Sequence, residues 1–250
     1  MLTAETLALV VGAFALGGFV KGAIGMGLPV VVLALLAFVM PLRDAMAIFL
    51  IPGVASNIWQ ATSGPYLPGL VRRLWPFLLG AICGIAVGVW ILAGTKSDVM
   101  ETVLGVLLIL YSAFSLTAPR LPEPGRHERW LSPLAGAAGG VLFGIVGIFI
   151  VPGLLYLETL RMPRDQFVQG MGLTFVTITT TLALSMTGFS LVTGELAILS
   201  VAGLVPAFAG IWAGRRIRHR ISESFYRRLF FVSLIGSGAY MIARTTGAFD

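Results

Sequence analysis

Gly17–Gly18–Phe19–Val20–Lys21–Gly22–Ala23–Ile24–Gly25–Met26–Gly27 interrupts an apolar run that extends from Leu7 to Met40. As one continuous helix those 34 residues would be about 51 Å long at ~1.5 Å per residue. A single crossing of a ~30 Å hydrocarbon core needs only ~20 residues. The run is therefore too long for one crossing and too short for two crossings and a turn. It reads as two helical arms, 3–20 and 28–40, around a break at 21–27. Pro29 follows the break, in the first helical turn, where its missing N–H is not needed. Lys21 is the single charge in the run.

The rest of the chain fits a lipid environment. Of its 250 residues 57% are apolar and 11% charged, with a mean hydropathy of +0.95. A soluble domain is about 25% charged and does not expose so much apolar surface. Soluble enzyme, disordered chain and secreted disulfide scaffold are thereby excluded. Cys83 is the only cysteine, so it forms no internal disulfide. His127 and His219 both lie in charged segments, which speaks against a buried metal site. No metal, cofactor or nucleic acid is expected. No positive charge precedes Leu7, so the N-terminus does not read as a signal peptide. The remaining class is an all-α polytopic membrane protein.

Ten helical segments are expected: 3–20, 28–40, 44–62, 74–94, 99–118, 131–146, 149–160, 164–187, 195–214 and 224–243. Eight to ten of them would count as spans. Residues 119–130 form a charged connector at the midpoint. The halves on either side echo each other. Gly17, Gly18, Gly22 and Gly25 reappear as Gly139, Gly140, Gly144 and Gly147, displaced by 122. Arg43–Asp44 reappears as Arg164–Asp165, displaced by 121, and Pro76, Gly80 and Gly84 as Pro206, Gly210 and Gly214, displaced by 130. The chain thus reads as a first membrane repeat, 1–118, the connector, 119–130, and a second repeat, 131–250. Each repeat opens on a broken helix pair.

Charge sets the orientation. With the Arg-rich loop 217–224 inside, 13 of the 17 basic residues face the cytoplasm, and Arg43, Lys96 and Arg244 face outside. This follows the positive-inside rule and places both termini outside. The repeats then run in opposite senses, a pattern of secondary transporters, whose substrate sites lie where the halves meet.

The candidate site follows from the breaks. An interrupted helix frees backbone N–H groups and directs its positive end at the gap. Such an end binds small anions, and glycine lets them approach the backbone. Lys21, Gly22, Gly25 and Gly27 would form one half-site, and Gly144 and Gly147 the other. Asn57 and Gln60, three apart on one helical face, and Thr174 and Thr177 of a threonine stripe that continues to Thr181 and Ser185, would line the path. Each has a plainer reading. Glycines pack membrane helices, as read for Gly80, Gly84 and Gly88. Threonines bond their own helix, and Lys21 would anchor a cytoplasmic turn. No Asp, Glu or His lies mid-membrane, which argues against a proton relay and against an intramembrane hydrolase.

Gly18–Phe19–Val20–Lys21–Gly22–Ala23–Ile24–Gly25–Met26–Gly27 resembles the first glycine-rich motif of the sulfite exporter TauE/SafE family of small-anion permeases. Gly140–Val141–Leu142–Phe143–Gly144–Ile145–Val146–Gly147, with Pro152 after it, is similar to the second motif. Pro206, Gly214–Arg215–Arg216, Ser222, Arg227–Arg228–Leu229 and Gly238 extend the likeness over nearly the whole chain. Ile148 and Phe149 depart from it, at positions where the family commonly has further glycines. The resemblance implies transport of sulfite, sulfonates or related organic anions across the plasma membrane. A passive anion channel and a non-transporting scaffold are the alternatives. The expected partners are the anion and the lipid bilayer, and a homo-oligomer is compatible with the sequence.

Overall fold

The computed structural model describes residues 3–117, 122–217, 232 and 234–243. Among them all regular structure is helical. The order is α1 (Ala4–Ile24), α2 (Leu28–Leu36), α3 (Leu42–Thr62), α4 (Leu67–Gly94) and α5 (Ser97–Thr117), then a 3-10 turn (Gly125–His127) leading into α6 (Glu128–Val146). A π-helical turn (Ile150–Leu154) runs into α7 (Leu155–Thr159), followed by α8 (Arg164–Gly188), α9 (Gly194–Ala202), α10 (Leu204–Ile217) and α11 (Leu234–Ala243). Six helical stretches among the described residues are long and apolar enough to cross a membrane, with α9 and α10 counted as one. The chain is a multi-pass membrane protein. The orientation-setting residues Arg120, Arg218, Arg220, Arg227, Arg228 and Arg244 lie outside the described residues, as do His219, Ser222 and Leu229.

By contact the chain forms two compact units, and these are not the two sequence halves. One comprises Met1–Phe49, Thr95–Pro119 and Thr193–Asp250, the other Leu50–Gly94 and Arg120–Val192. Glycine explains the interleaving. In the first unit α1 pairs with α10. A Cβ on Gly18 or Gly22 would sit 2.2 Å from the carbonyl oxygen of Ala207 or Ile211. Conversely, a Cβ on Gly210 or Gly214 would lie 2.2 or 2.1 Å from the carbonyl of Ala15 or Phe19. Residue numbers rise together, so the two helices run parallel. Only glycine allows backbones this close, and close approach is the main source of helix association in lipid.

The second unit repeats this pairing with α4 and α6. Gly80, Gly84 and Gly88 face the carbonyls of Pro133, Ala137 and Val141, and Gly136, Gly140 and Gly144 face those of Phe77, Ala81 and Ile85. Again the helices run parallel. The packing reading of Gly80, Gly84 and Gly88 is therefore right. Gly18 and Gly140, 122 apart, face Ala207 and Ala81, which are 126 apart, and Gly84 and Gly210, 126 apart, face Ala137 and Ala15, which are 122 apart.

Two further pairings run antiparallel. In the first unit Gly105 of α5 packs on Gly238 of α11, with Gly105 against Ile242 and Gly238 against Ile109. At a displacement of 133, each of these contacts is the image of the other. In the second unit the later part of α3 crosses α8. The Asn57 Nδ2 donates to Thr179 Oγ1 at 3.5 Å, and Gly172 lies against Gln60 and Ala61. Asn57 and Thr179 are themselves 122 apart, so two repeat-related positions touch.

Candidate functional site

Both helix breaks are built alike. α1 ends at Gly25, which has φ 93 and donates its N–H to the Lys21 carbonyl at 2.7 Å. α6 ends at Gly147, with φ 76 and an N–H bond to the Phe143 carbonyl at 2.8 Å. Both backbones are in the left-handed region that favours glycine, so each glycine stops its helix. Beyond each stop a short arm folds back. α2 packs Leu28 and Val32 over Gly17, and the π turn packs Phe149 and Gly153 over Gly139. Gly17 and Gly139 are again 122 apart.

The arms differ from expectation in length. α1 has 21 residues, about 31 Å of helix, and α6 has 19, about 28 Å. Each first arm is therefore long enough to cross alone, and only the return arms are short. Lys21 stands in the last turn of α1, not between two half-length arms.

Lys21 is 8% exposed. It lies four residues after Gly17, hence on the helix face that α2 covers, one turn nearer the break. Arg215, at the end of the parallel helix α10, is close enough for its charge to act on Lys21. α2 begins at Gly27, φ 103, without a side-chain cap and with Pro29 in its first turn. Nothing lies within 4 Å of where a Cβ on Gly25 would stand. Open space, a buried ammonium and a helix start thus meet at the first break. Gly22 does not join them, because it lies within α1 against Ile211.

The second break has different chemistry. The counterpart of Lys21 is Phe143, which is fully buried. Phe149 meets Phe143, Phe77 and Phe175 edge-on at centroid distances of 6.1, 5.7 and 6.3 Å. Tyr156 stacks on Phe77 at 5.5 Å. Phe149 thus sits in an aromatic cluster soon after the Gly147 stop. Gly144, like Gly22, is inside a helix and packed, against Ile85 and Gly88. Gly147 is the helix stop.

The polar side chains of α3 and α8 bond mostly to backbone carbonyls. Gln60 Nε2 donates to the Val168 carbonyl at 3.0 Å. Thr177 and Thr181 bond the carbonyls of Leu173 and Thr177, four residues back. Thr174 is fully buried, and its hydroxyl has no partner. Gln169 is a residue that the sequence reading did not single out. Its Nε2 donates to the carbonyls of Ala61 (2.8 Å) and Gly64 (2.7 Å), and its Oε1 accepts from the Tyr66 N–H (2.9 Å). The available signal was an amide near the start of a membrane segment, one turn after Gln166, the same cost argument that marked Asn57 and Gln60.

At the start of the parallel pair α4 and α6, Arg73 and Glu128 form a two-pronged ion pair at 2.9 and 3.0 Å. It joins two helices at one end of the unit, where Arg72, Arg126 and Arg129 are exposed.

The sequence profile described as sulfite exporter TauE/SafE matches residues 9–241. Searches of curated proteins and of solved structures give no match. The matched range takes in both glycine-stopped helix breaks and both parallel glycine-packed pairs. The chain belongs to the sulfite exporter TauE/SafE family of membrane transporters of sulfur anions.

Proposed function

We propose that the protein carries a small sulfur oxyanion, sulfite or a sulfonate, across the plasma membrane by alternating access between two inverted repeats. The observation that carries this reading is the buried Lys21 beside the glycine-flanked start of α2. A buried positive charge beside a helix start attracts an anion. An oxyanion next to Gly25 would meet that charge and the unsatisfied first N–H groups of α2, with the helix dipole adding to the attraction. Arg215 raises the local positive potential. Gly25 and Gly27 would let the anion reach the backbone.

The second break, filled by Phe143 and Phe149, offers no comparable charge. The anion therefore binds at the first break. Asn57 and Gln60 tie α3 to α8, and Thr177 bonds its own helix, rather than contacting the anion. The antiparallel crossing at Asn57 and Thr179 supports inverted repeats, since equivalent residues touch only near a two-fold axis. Parallel pairing supports the assigned orientation, with both termini outside. It puts Lys21 at one end with Arg215 and Arg216 in the first unit, and Arg72 and Arg73 at one end with Arg126 and Arg129 in the second. Such ends face the cytoplasm.

A ligand screen tests the reading. At 100 times its dissociation constant, a bound anion adds about 2.7 kcal/mol to stability. Sulfite or a sulfonate should raise the melting temperature of the wild-type protein and leave that of Lys21→Met unchanged. If sulfite, thiosulfate, sulfonates and carboxylates all leave the wild type unchanged, the reading is wrong.

A further inference from the structure

The two compact units are joined by four chain links, at 49/50, 94/95, 119/120 and 192/193. The link at 94/95 follows the end of α4, and that at 192/193 lies between α8 and α9. The link at 119/120 falls in the connector, partly outside the described residues. The link at 49/50 is different, because it runs through the interior of α3, which is helical from Leu42 to Thr62. Three features that weaken a helix gather within two turns of it. Pro52 has no N–H, so the Ile48 carbonyl receives no bond from residue 52. Gly53 follows directly and relaxes the backbone further. Ser56 Oγ turns back to the Gly53 carbonyl at 3.2 Å, a bond that often bends helices. Pro76 and Pro133, the other prolines inside long helices, lie within a single unit.

We propose that Pro52 and Gly53 are the hinge of the transport cycle, the point at which α3 bends as the two units change their relation. Pro52 is then a positioning residue. It does not touch the anion, and it sets how fast the carrier turns over. The inference rests on the alternating-access reading given above. Sharp bends in helices arise at proline and at weakened turns of this kind. Hinges are a few residues that absorb the backbone change, often far from the substrate. Position 174, the counterpart of Pro52 at a displacement of 122, is a threonine, and α8 lies wholly in one unit. The hinge is thus confined to one repeat.

The test compares Pro52→Ala, which restores an N–H to the helix, with Pro52→Gly, which restores it but keeps the turn weak. In sulfite-loaded proteoliposomes Pro52→Gly should turn over near the wild-type rate. Pro52→Ala should lose about tenfold in maximal rate while KM and stabilisation by sulfite stay unchanged. Wild-type turnover in Pro52→Ala overturns the hinge, as does equal loss in both variants, which would mean that proline serves only packing. Hydrogen exchange in detergent, independent of any substrate, gives a second reading. Amides at 53–56 should exchange about tenfold faster in the wild type than in Pro52→Ala. Equal exchange refutes the hinge even if the wild type carries no sulfite, whereas faster exchange without sulfite flux refutes the transport reading alone. If Pro52→Ala does not fold, Pro52→Leu, which also restores the N–H, takes its place in both measurements.

Discussion

Replacing Gly84 by alanine puts one methyl group where the structure has the backbone of another helix. The new Cβ would stand 2.1 Å from the Ala137 carbonyl oxygen and 2.9 Å from both the Ala137 carbonyl carbon and the Val141 nitrogen. Ordinary contact begins at 3.4 Å, so α4 and α6 must separate locally by about 1.3 Å, the difference between the two distances. A side chain cannot swing aside, because the obstructing atoms are backbone. Overpacking of this kind costs about 1–3 kcal/mol, and separation also weakens the adjoining contacts at Gly80 and Gly88. Taking about 2 kcal/mol, and 2–4 °C per kcal/mol for a chain of this size, the melting temperature should fall by about 4–8 °C. The control is Gly12→Ala, where nothing lies within 4 Å of the new Cβ. There the helix preference of alanine, about 0.5–1 kcal/mol, should leave stability unchanged or slightly raised. Gly210→Ala meets the Ala15 carbonyl at 2.2 Å and should match Gly84→Ala. Melting in detergent, followed by intrinsic fluorescence, measures all three. If Gly84→Ala melts with Gly12→Ala, the parallel glycine-packed pair is not what holds the second unit together.

Gln169→Leu removes three hydrogen bonds that tie α8 to the turn after α3, and should cost about 2 kcal/mol in mixed-micelle unfolding, at about 0.6 kcal/mol for each interhelical bond in a membrane. Gly25→Ala and Gly147→Ala force a left-handed backbone on alanine and should each cost about 1–2 kcal/mol, with Gly25→Asn milder than Gly25→Ala by the same measurement. Thr174→Val replaces a buried, unpartnered hydroxyl by a methyl group. It should hold or raise the melting temperature by the equivalent of about 1 kcal/mol, whereas Thr177→Val, which loses only a bond to its own helix, should leave it unchanged by a measurable amount.

How far the sequence foretold this structure differs from feature to feature. The two breaks were legible, because a glycine-rich interruption with a following proline has few other uses in an apolar run. Their equivalence was legible too, since the 122-residue displacement covers four glycines in order. The matching of α4 with α10 is less determined, because Gly80, Gly84 and Gly88 repeat every four residues and sliding the match by one turn preserves the pattern. Gly22 and Gly144 share the spacing of the break glycines but lie inside helices. In one dimension a packing glycine and a site glycine look the same. The interleaving of the halves depends on which helices pair in space, and periodicity within a segment carries no such information. The antiparallel contact of Gly105 with Gly238 escaped for the same reason. Ile148 and Phe149 marked the second break as apolar, but the gathering of Phe143, Phe77 and Phe175 around Phe149 depends on packing between helices.

The central claim is that Lys21 supplies the charge for the anion at the first break. Flux of sulfite into proteoliposomes tests it most directly, with wild type, Lys21→Ala and Lys21→Met reconstituted at equal density after folding is checked by melting. The account predicts saturable flux in the wild type and its near-complete loss in both folded variants. Wild-type flux in a folded Lys21→Met protein would contradict it.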